Sequence, residues 1–301
     1  MLKPIVVGVD GSRESAAAAA WAAREAQLRD LPLRLVHAWE GLPPQDTDAT
    51  LPELQAPQYW ARRVLRSTSE ELLLRHPKLY ISTEQIVLPP APALLAEAAS
   101  AELLVLGNQG LSSVGGMFAG SVAMTTVAHT PRPVALVRAE CTGDSELLRD
   151  ASETGPGDAA RAPYRDVALA VDPRTPCEAV LEYAFHAAEL RGAPLRIVHA
   201  WHVPLRHGIV GPDERAVAKD AAERELAVSL RPWRDKFPDV FVRELLVEGR
   251  PSHHVIRAAR GAGLLVVGRR TRRTAIGSHA GPVTHAVVHH VSCPVVVVPH
   301  A

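Results

Sequence analysis

Short aliphatic runs alternate along the chain with longer stretches whose apolar positions recur at helical spacing. In the first half the runs are IVVGVD ending at Asp10, Leu33–Trp39, Ile81–Leu88, Leu103–Leu106 and Val134–Val137. Between them, Ser12 to about Arg29 is Ala-rich and amphipathic, and further helices are predicted near Arg62–Arg75, Ala93–Ala101 and Ser121–His129. A run that is apolar on both faces suits a strand covered on both sides, and parallel strands need a crossover segment between them. Ser12 has the side chain of an N-cap, and Glu14 lies where the helix dipole favours an acid.

The pattern then repeats. Residues 32–39 read PLRLVHAW and residues 194–201 read PLRIVHAW, at an offset of 162 that also aligns Asp10 with Asp172. LLVLG ending at Gly107 aligns with LLVVG ending at Gly268, and PVALV (133–137) with PVVVV (294–298), both at an offset of 161. Four strand cores in register over nearly the whole length indicate a duplication. The predicted fold is α/β: two tandem open parallel five-stranded sheets with helices on both faces, Rossmann-like, in strand order 3-2-1-4-5. The predicted domains are 1–140 and 164–301, joined by a linker at 141–163 that is rich in Gly, Asp, Ser and charge. Residues 40–58 read as a Pro-rich loop.

Composition narrows the function. Aromatic residues are only 4%, so aliphatic side chains must fill the cores. Lys+Arg and Asp+Glu balance at 33 each, which offers nucleic acid or an anionic membrane no net attraction. No apolar run is long enough to span a bilayer, and the opening MLKPIVVGVDGS is unlike a signal peptide, so a cytoplasmic location is expected. The three cysteines are far apart and lack C-x-x-C spacing, which argues against a disulfide framework or zinc site.

The candidate chemistry follows the fourth strand, where copy one reads GNQGLSSVGGMFAGSV. Gly107 and Gly110 would let main chain approach a ligand closely, and successive N–H groups in such a loop form an anion-binding concavity. Gly120 and Ser121 open the next helix, whose first N–H groups and dipole favour phosphate. Asp10 closes the first strand at the carboxyl edge, where ligands bind if the strand order reverses there. Asp10 suits a sugar hydroxyl, an adenine edge or a Mg²⁺ beside the phosphates, and the end of the second strand, near His37 and Ala38, suits a base.

The spacing G-x2-G-x9-G-S after a strand, with VGVDGS before it and PVALV after it, resembles the ATP-binding subclass of the universal stress protein family over roughly 3–138 and 165–299. The resemblance implies ATP, with or without Mg²⁺, held by Val9, Asp10, Gly11, Ser12 and Ala38. On the phosphate side it implies Gly107, Gln109, Gly110, Gly120, Ser121 and Val122. It further implies a role in stress or dormancy adaptation, a homodimer, and pairing of the two domains through Pro133–Val137 and Pro294–Val298.

Copy two departs from this pattern: Gly110 becomes Thr271, Gly120-Ser121 becomes Gly281-Pro282, and DGS becomes Asp172-Pro173-Arg174. Its loop reads as degenerate. His285 and His289 have metal-chelating i, i+4 spacing but no evident third ligand, and a place near a helix C-terminus accounts for the histidines there better than a metal site does. No nucleophile elbow, P-loop lysine or second acidic metal ligand appears, so no catalytic residue is assigned. The expectation is a regulator, with hydrolysis at most slow. A slow ATPase in the same crevice and a ligand-independent scaffold stand as the alternatives.

Overall fold

The computed structural model describes residues 2–40, 52–109, 121–141, 143–148, 164–175, 177–203, 211–271 and 280–301. The chain divides into two compact units, Met1–Gly143 and Asp144–Ala301.

Unit 1 runs β1 (Ile5–Gly8), α1 (Arg13–Arg29), β2 (Leu33–Trp39), α2 (Pro52–Arg75), β3 (Ile81–Val87), α3 (Pro90–Ser100), β4 (Leu103–Gly107), α4 (Ser121–His129) and β5 (Val134–Val137). All its strand pairs are parallel, in the order β3-β2-β1-β4-β5. Right-handed crossovers place helices on one face while the order runs outward from β1 and on the other after it reverses. Accordingly α1 packs with α2, and α3 with α4. The reversal lies between β1 and β4, where a doubly wound sheet opens a crevice at its carboxyl edge.

The aliphatic runs form the central strands because both faces are covered: Ile5, Val6, Val7, Leu103, Leu104 and Val105 are fully buried. β3 is outermost, and there charged and polar residues such as Glu84 are exposed. α2 begins well before the predicted Arg62, because Pro52 suits a first helical position and Glu53, Leu54, Gln55 and Ala56 are strong or neutral helix formers. The predicted loop at 40–58 is therefore helical from Pro52.

Unit 2 repeats the plan with β6 (Val167–Ala170), α5 (Glu178–Arg191), β7 (Leu195–Trp201), α6 (Pro212–Lys236), β8 (Val242–Glu248), α7 (Pro251–Ala258), β9 (Leu264–Arg270), α8 (Pro282–His290) and β10 (Val295–His300). Its parallel order is β8-β7-β6-β9-β10, again 3-2-1-4-5 in unit numbering. A short 3-10 turn, Gly143–Glu146, carries Glu146, whose carbonyl accepts from the Arg165 N–H at 2.8 Å.

Unit 2 differs from unit 1 at both segments that border its carboxyl edge. α5 starts three residues later than α1 in the alignment, because a proline at 176 disfavours helical geometry in the residue before it. β9 and β10 also continue to Arg270 and His300, with Pro299 paired to Arg269 and His300 to Arg270.

Candidate functional site

A cavity of about 240 Å³ opens in unit 1 at the carboxyl ends of β1 and β4. Gly8, Val9, Asp10 and Ser12 line one wall, Leu106, Gly107 and Gln109 another. Val36 and Ala38 come from β2, Pro90 and Leu94 from α3, and Val122 and Ala123 from the start of α4. The sequence brings these together through the strand reversal: β1 and β4 pair directly, with Val7 opposite Val105.

The turn after β1 fixes Asp10. Its Oδ1 accepts from the Ser12 N–H at 2.9 Å and the Ser12 hydroxyl at 2.5 Å. Ser12 is at the same time the N-cap of α1, its Oγ accepting from the Ser15 N–H at 3.1 Å. The Ser15 hydroxyl closes the box by donating to the Ser12 carbonyl at 3.0 Å and accepting from the Asp10 N–H at 3.3 Å. Gly11 turns the chain at φ +85°, a conformation glycine adopts without strain. Burial pushes the Asp10 carboxyl upward, but the bonds from Ser12 and Ser15 outweigh it and hold the pKa below 3.8. Asp10 is a carboxylate at neutral pH, aimed at the crevice by a hydrogen-bonded turn.

Gly107 has a reason beyond any ligand. A Cβ there would lie 2.7 Å from the main-chain carbon of Glu14 and 2.8 Å from the nitrogen of Ser15. The first turn of α1 therefore packs directly on the end of β4, and only glycine fits between them. Gly110 and Gly120 lie outside the described residues. Ser121 opens α4, and its backbone is described while its side chain is not.

His37 is not part of the cavity wall. Strand alternation puts Val36 and Ala38 on the crevice face and His37 on the other, where its Nδ1 lies 2.7 Å from the Val9 carbonyl. That carbonyl follows the last residue of β1, so the imidazole N–H satisfies a buried acceptor at the strand end. His199 does the same for Val171 at 3.2 Å. Spacing does not distinguish this strand-end latch from a base contact. Sequence reasoning also passes over Ser15, Leu94 and Ala123, although Ser15 sits three residues after an N-cap serine and is legible as part of a turn.

Unit 2 has its own cavity, of about 380 Å³, at the equivalent edge. Asp172 occupies the place of Asp10, but its Oδ1 accepts from the Arg174 N–H at 3.2 Å and from Arg174 Nε at 3.1 Å. The Cys177 thiol, at the position of Ser15, is pushed up to about 11 by burial and then by the Asp172 and Glu178 charges, so it is no nucleophile. The His285 and His289 rings are 4.6 Å apart, and no group of three or more His, Cys, Asp or Glu side chains that could hold a metal occurs among the described residues. No helix among the described residues is long and apolar enough to cross a membrane.

Comparison with known proteins agrees with this architecture. Residues 1–138 and 163–299 both match the Universal stress protein family. A universal stress protein of Mycobacterium tuberculosis is 32% identical over 300 residues, covering 97% of this chain and 96% of the relative. The crystal structure of a universal stress protein from Archaeoglobus fulgidus covers 100% of both chains with a TM-score of 0.70 at 14% identity, a likeness of fold. A universal stress protein solved in complex with cAMP covers 46% of this chain and 99% of its own, at 27% identity and a TM-score of 0.36. With both halves matched in order and a relative aligned almost end to end, the chain belongs to the universal stress protein family.

Proposed function

We propose that this protein is a nucleotide-dependent regulator of stress or dormancy adaptation whose ligand, ATP, binds in the unit 1 crevice. The observation that carries the reading is the meeting of an ordered Asp10 carboxylate, the end of β4 at Gly107 and the start of α4 around one cavity. The base would lie against Val36, Ala38 and Leu94. Asp10, with main chain from Val9 and Gly11, would face the sugar, and Ser12 would keep the carboxylate in place. The phosphates would run past Gly107 and Gln109 toward Gly110, Gly120, Ser121 and Val122, where main-chain N–H groups and the α4 dipole favour anions.

A Mg²⁺ accompanying the phosphates would find the Asp10 carboxylate, with Glu14 also on the cavity wall. That suits an ion held mainly by phosphate oxygens and water. Its chemistry when bound is to neutralise phosphate charge, while the protein's own part is to orient Asp10 through Ser12 and Ser15.

Calorimetric titration of the full chain with ATP tests the reading. Asp10→Ala is expected to weaken binding about tenfold or more, the loss of one or two good hydrogen bonds from a ligand. Unchanged affinity in Asp10→Ala, or no binding by the natural chain, would contradict it.

A further inference from the structure

The unit 2 cavity keeps the apolar wall of its counterpart and changes the rim. Val171, Val198, Val255, Val267 and Val283 line it, so a flat apolar body has a surface to lie on. Among the described residues, three features of the route that phosphates would take are unfavourable to them. The Thr271 N–H, aligned with Gly110, donates to the His300 carbonyl at 2.7 Å and is thereby used in the strand ladder. The His300 ring lies over Gly268, its Nε2 2.8 Å from where a Cβ would stand. Pro282, the first residue of α8, has no N–H to offer.

The rim has gained donors instead. Arg174 stands where unit 1 has Ser12, and His202 where unit 1 has Glu40; both line the cavity, while the neighbouring Thr175 hydroxyl is spent on the Asp172 carbonyl at 3.0 Å. Arg174 uses Nε and Nη2 on Asp172, at 3.1 and 3.5 Å, and its guanidinium retains Nη1 for a ligand. The cavity of about 380 Å³ matches a small organic molecule.

We infer that the unit 2 crevice is a second binding site, for a small ligand with an apolar body and a single anionic group, and that it rejects a triphosphate. An aromatic carboxylate and a nucleoside monophosphate share that chemistry. Unit 2 residues alone form this site, so it stands apart from the reading of unit 1.

The test is calorimetric titration of the full chain carrying Ala38→Trp, which fills the unit 1 crevice, with naphthoate, AMP and ATP as probes. Binding of naphthoate, AMP or both is expected, with ATP weaker by about tenfold or more. Naphthoate alone would identify the aromatic acid as the source of the chemistry, and AMP alone the monophosphate. Adding Ala200→Trp, the matching substitution in unit 2, is expected to abolish binding. Replacing it with His300→Ala is expected to narrow the gap between ATP and AMP by reopening the phosphate route. Should a tryptophan variant fail to fold, amide NMR shifts at Val267 and Gly268 in the natural chain give the same information. Binding of neither naphthoate nor AMP, ATP binding as tight as AMP, or shifts confined to unit 1 would overturn the inference.

Discussion

The two crevices start from one strand order and one apolar wall, and they diverge at the rim, in the first turn of the first helix and at the ends of the last two strands. In unit 1 the DGS turn caps α1 at Ser12, and the first turn of α1 lies against Gly107. In unit 2 the equivalent segment is Asp172-Pro173-Arg174, and α5 begins only at Glu178 with no side-chain cap. The room left by the missing turn is partly taken by His300 from a longer β10, and the cavity is larger, about 380 against 240 Å³. A duplicated sheet thus keeps its central strands, which are packed on two faces, and varies at its rim, where a capping turn and a strand end set the shape of the site. Conservation of architecture between two copies does not carry over to their chemistry.

The sharpest way to break this comparison is at the paired glycines. Gly107→Val should destabilise unit 1 by about 3 kcal/mol, because the new side chain meets rigid main chain of α1. Gly268→Val should cost unit 2 about 1–2 kcal/mol, since the atoms it meets belong to the side chains of His300 and Val180, which can move. Hydrogen-exchange mass spectrometry, which reports the units separately, measures both. Equal losses would mean that the first turn of α1 is not what Gly107 serves.

The strand-end histidines come next. His37→Phe leaves the Val9 carbonyl without its 2.7 Å donor, and a loss of about 1–3 kcal/mol is expected in unit 1. His199→Phe should cost less, since its contact with Val171 is longer at 3.2 Å. If His37→Phe instead spared stability and weakened ATP binding, the latch would be a ligand contact after all.

A smaller effect is a pH dependence of unit 2 that His199 contributes. Burial lowers the His199 pKa below 6.5, and the bond to Val171 and the Asp172 charge only partly offset it. The unfolded chain therefore binds more protons in the window just below pH 6.5, and unit 2 should lose stability as pH falls through it. Asp10 and Asp172, both held below 3.8, keep their contribution above that value and lose it only on further acidification. Urea unfolding of the natural chain and His199→Phe at pH 7 and pH 5 checks the sign, and the variant should show the flatter response.

The strands are legible almost to the residue: at Val134–Val137 a fully buried strand leaves an uninterrupted aliphatic run, and at Leu33–Trp39 the aliphatic pattern survives the interruption of Arg34 and His37. α1 and α4 are equally plain, the first from its serine cap and the second from the glycine before it. The start of α2 is hidden because Pro52 and Pro57 resemble loop residues when a helical context is not known. The candidate site is half legible. Asp10, Ser12, Ala38, Gly107 and Val122 do surround one cavity, as their places at strand and helix ends suggest. Two roles are invisible in the sequence. The Gly107–α1 contact joins residues more than 90 positions apart, and the His300 ring reaches Gly268 only through a strand extension that Pro299 disguises.

If the two crevices have separate chemistries, ATP stoichiometry on the purified full chain reveals it most directly. One ATP bound per chain, lost in Ala38→Trp and kept in Ala200→Trp, is the expected result. Two per chain, or one that is lost in Ala200→Trp instead, would contradict it.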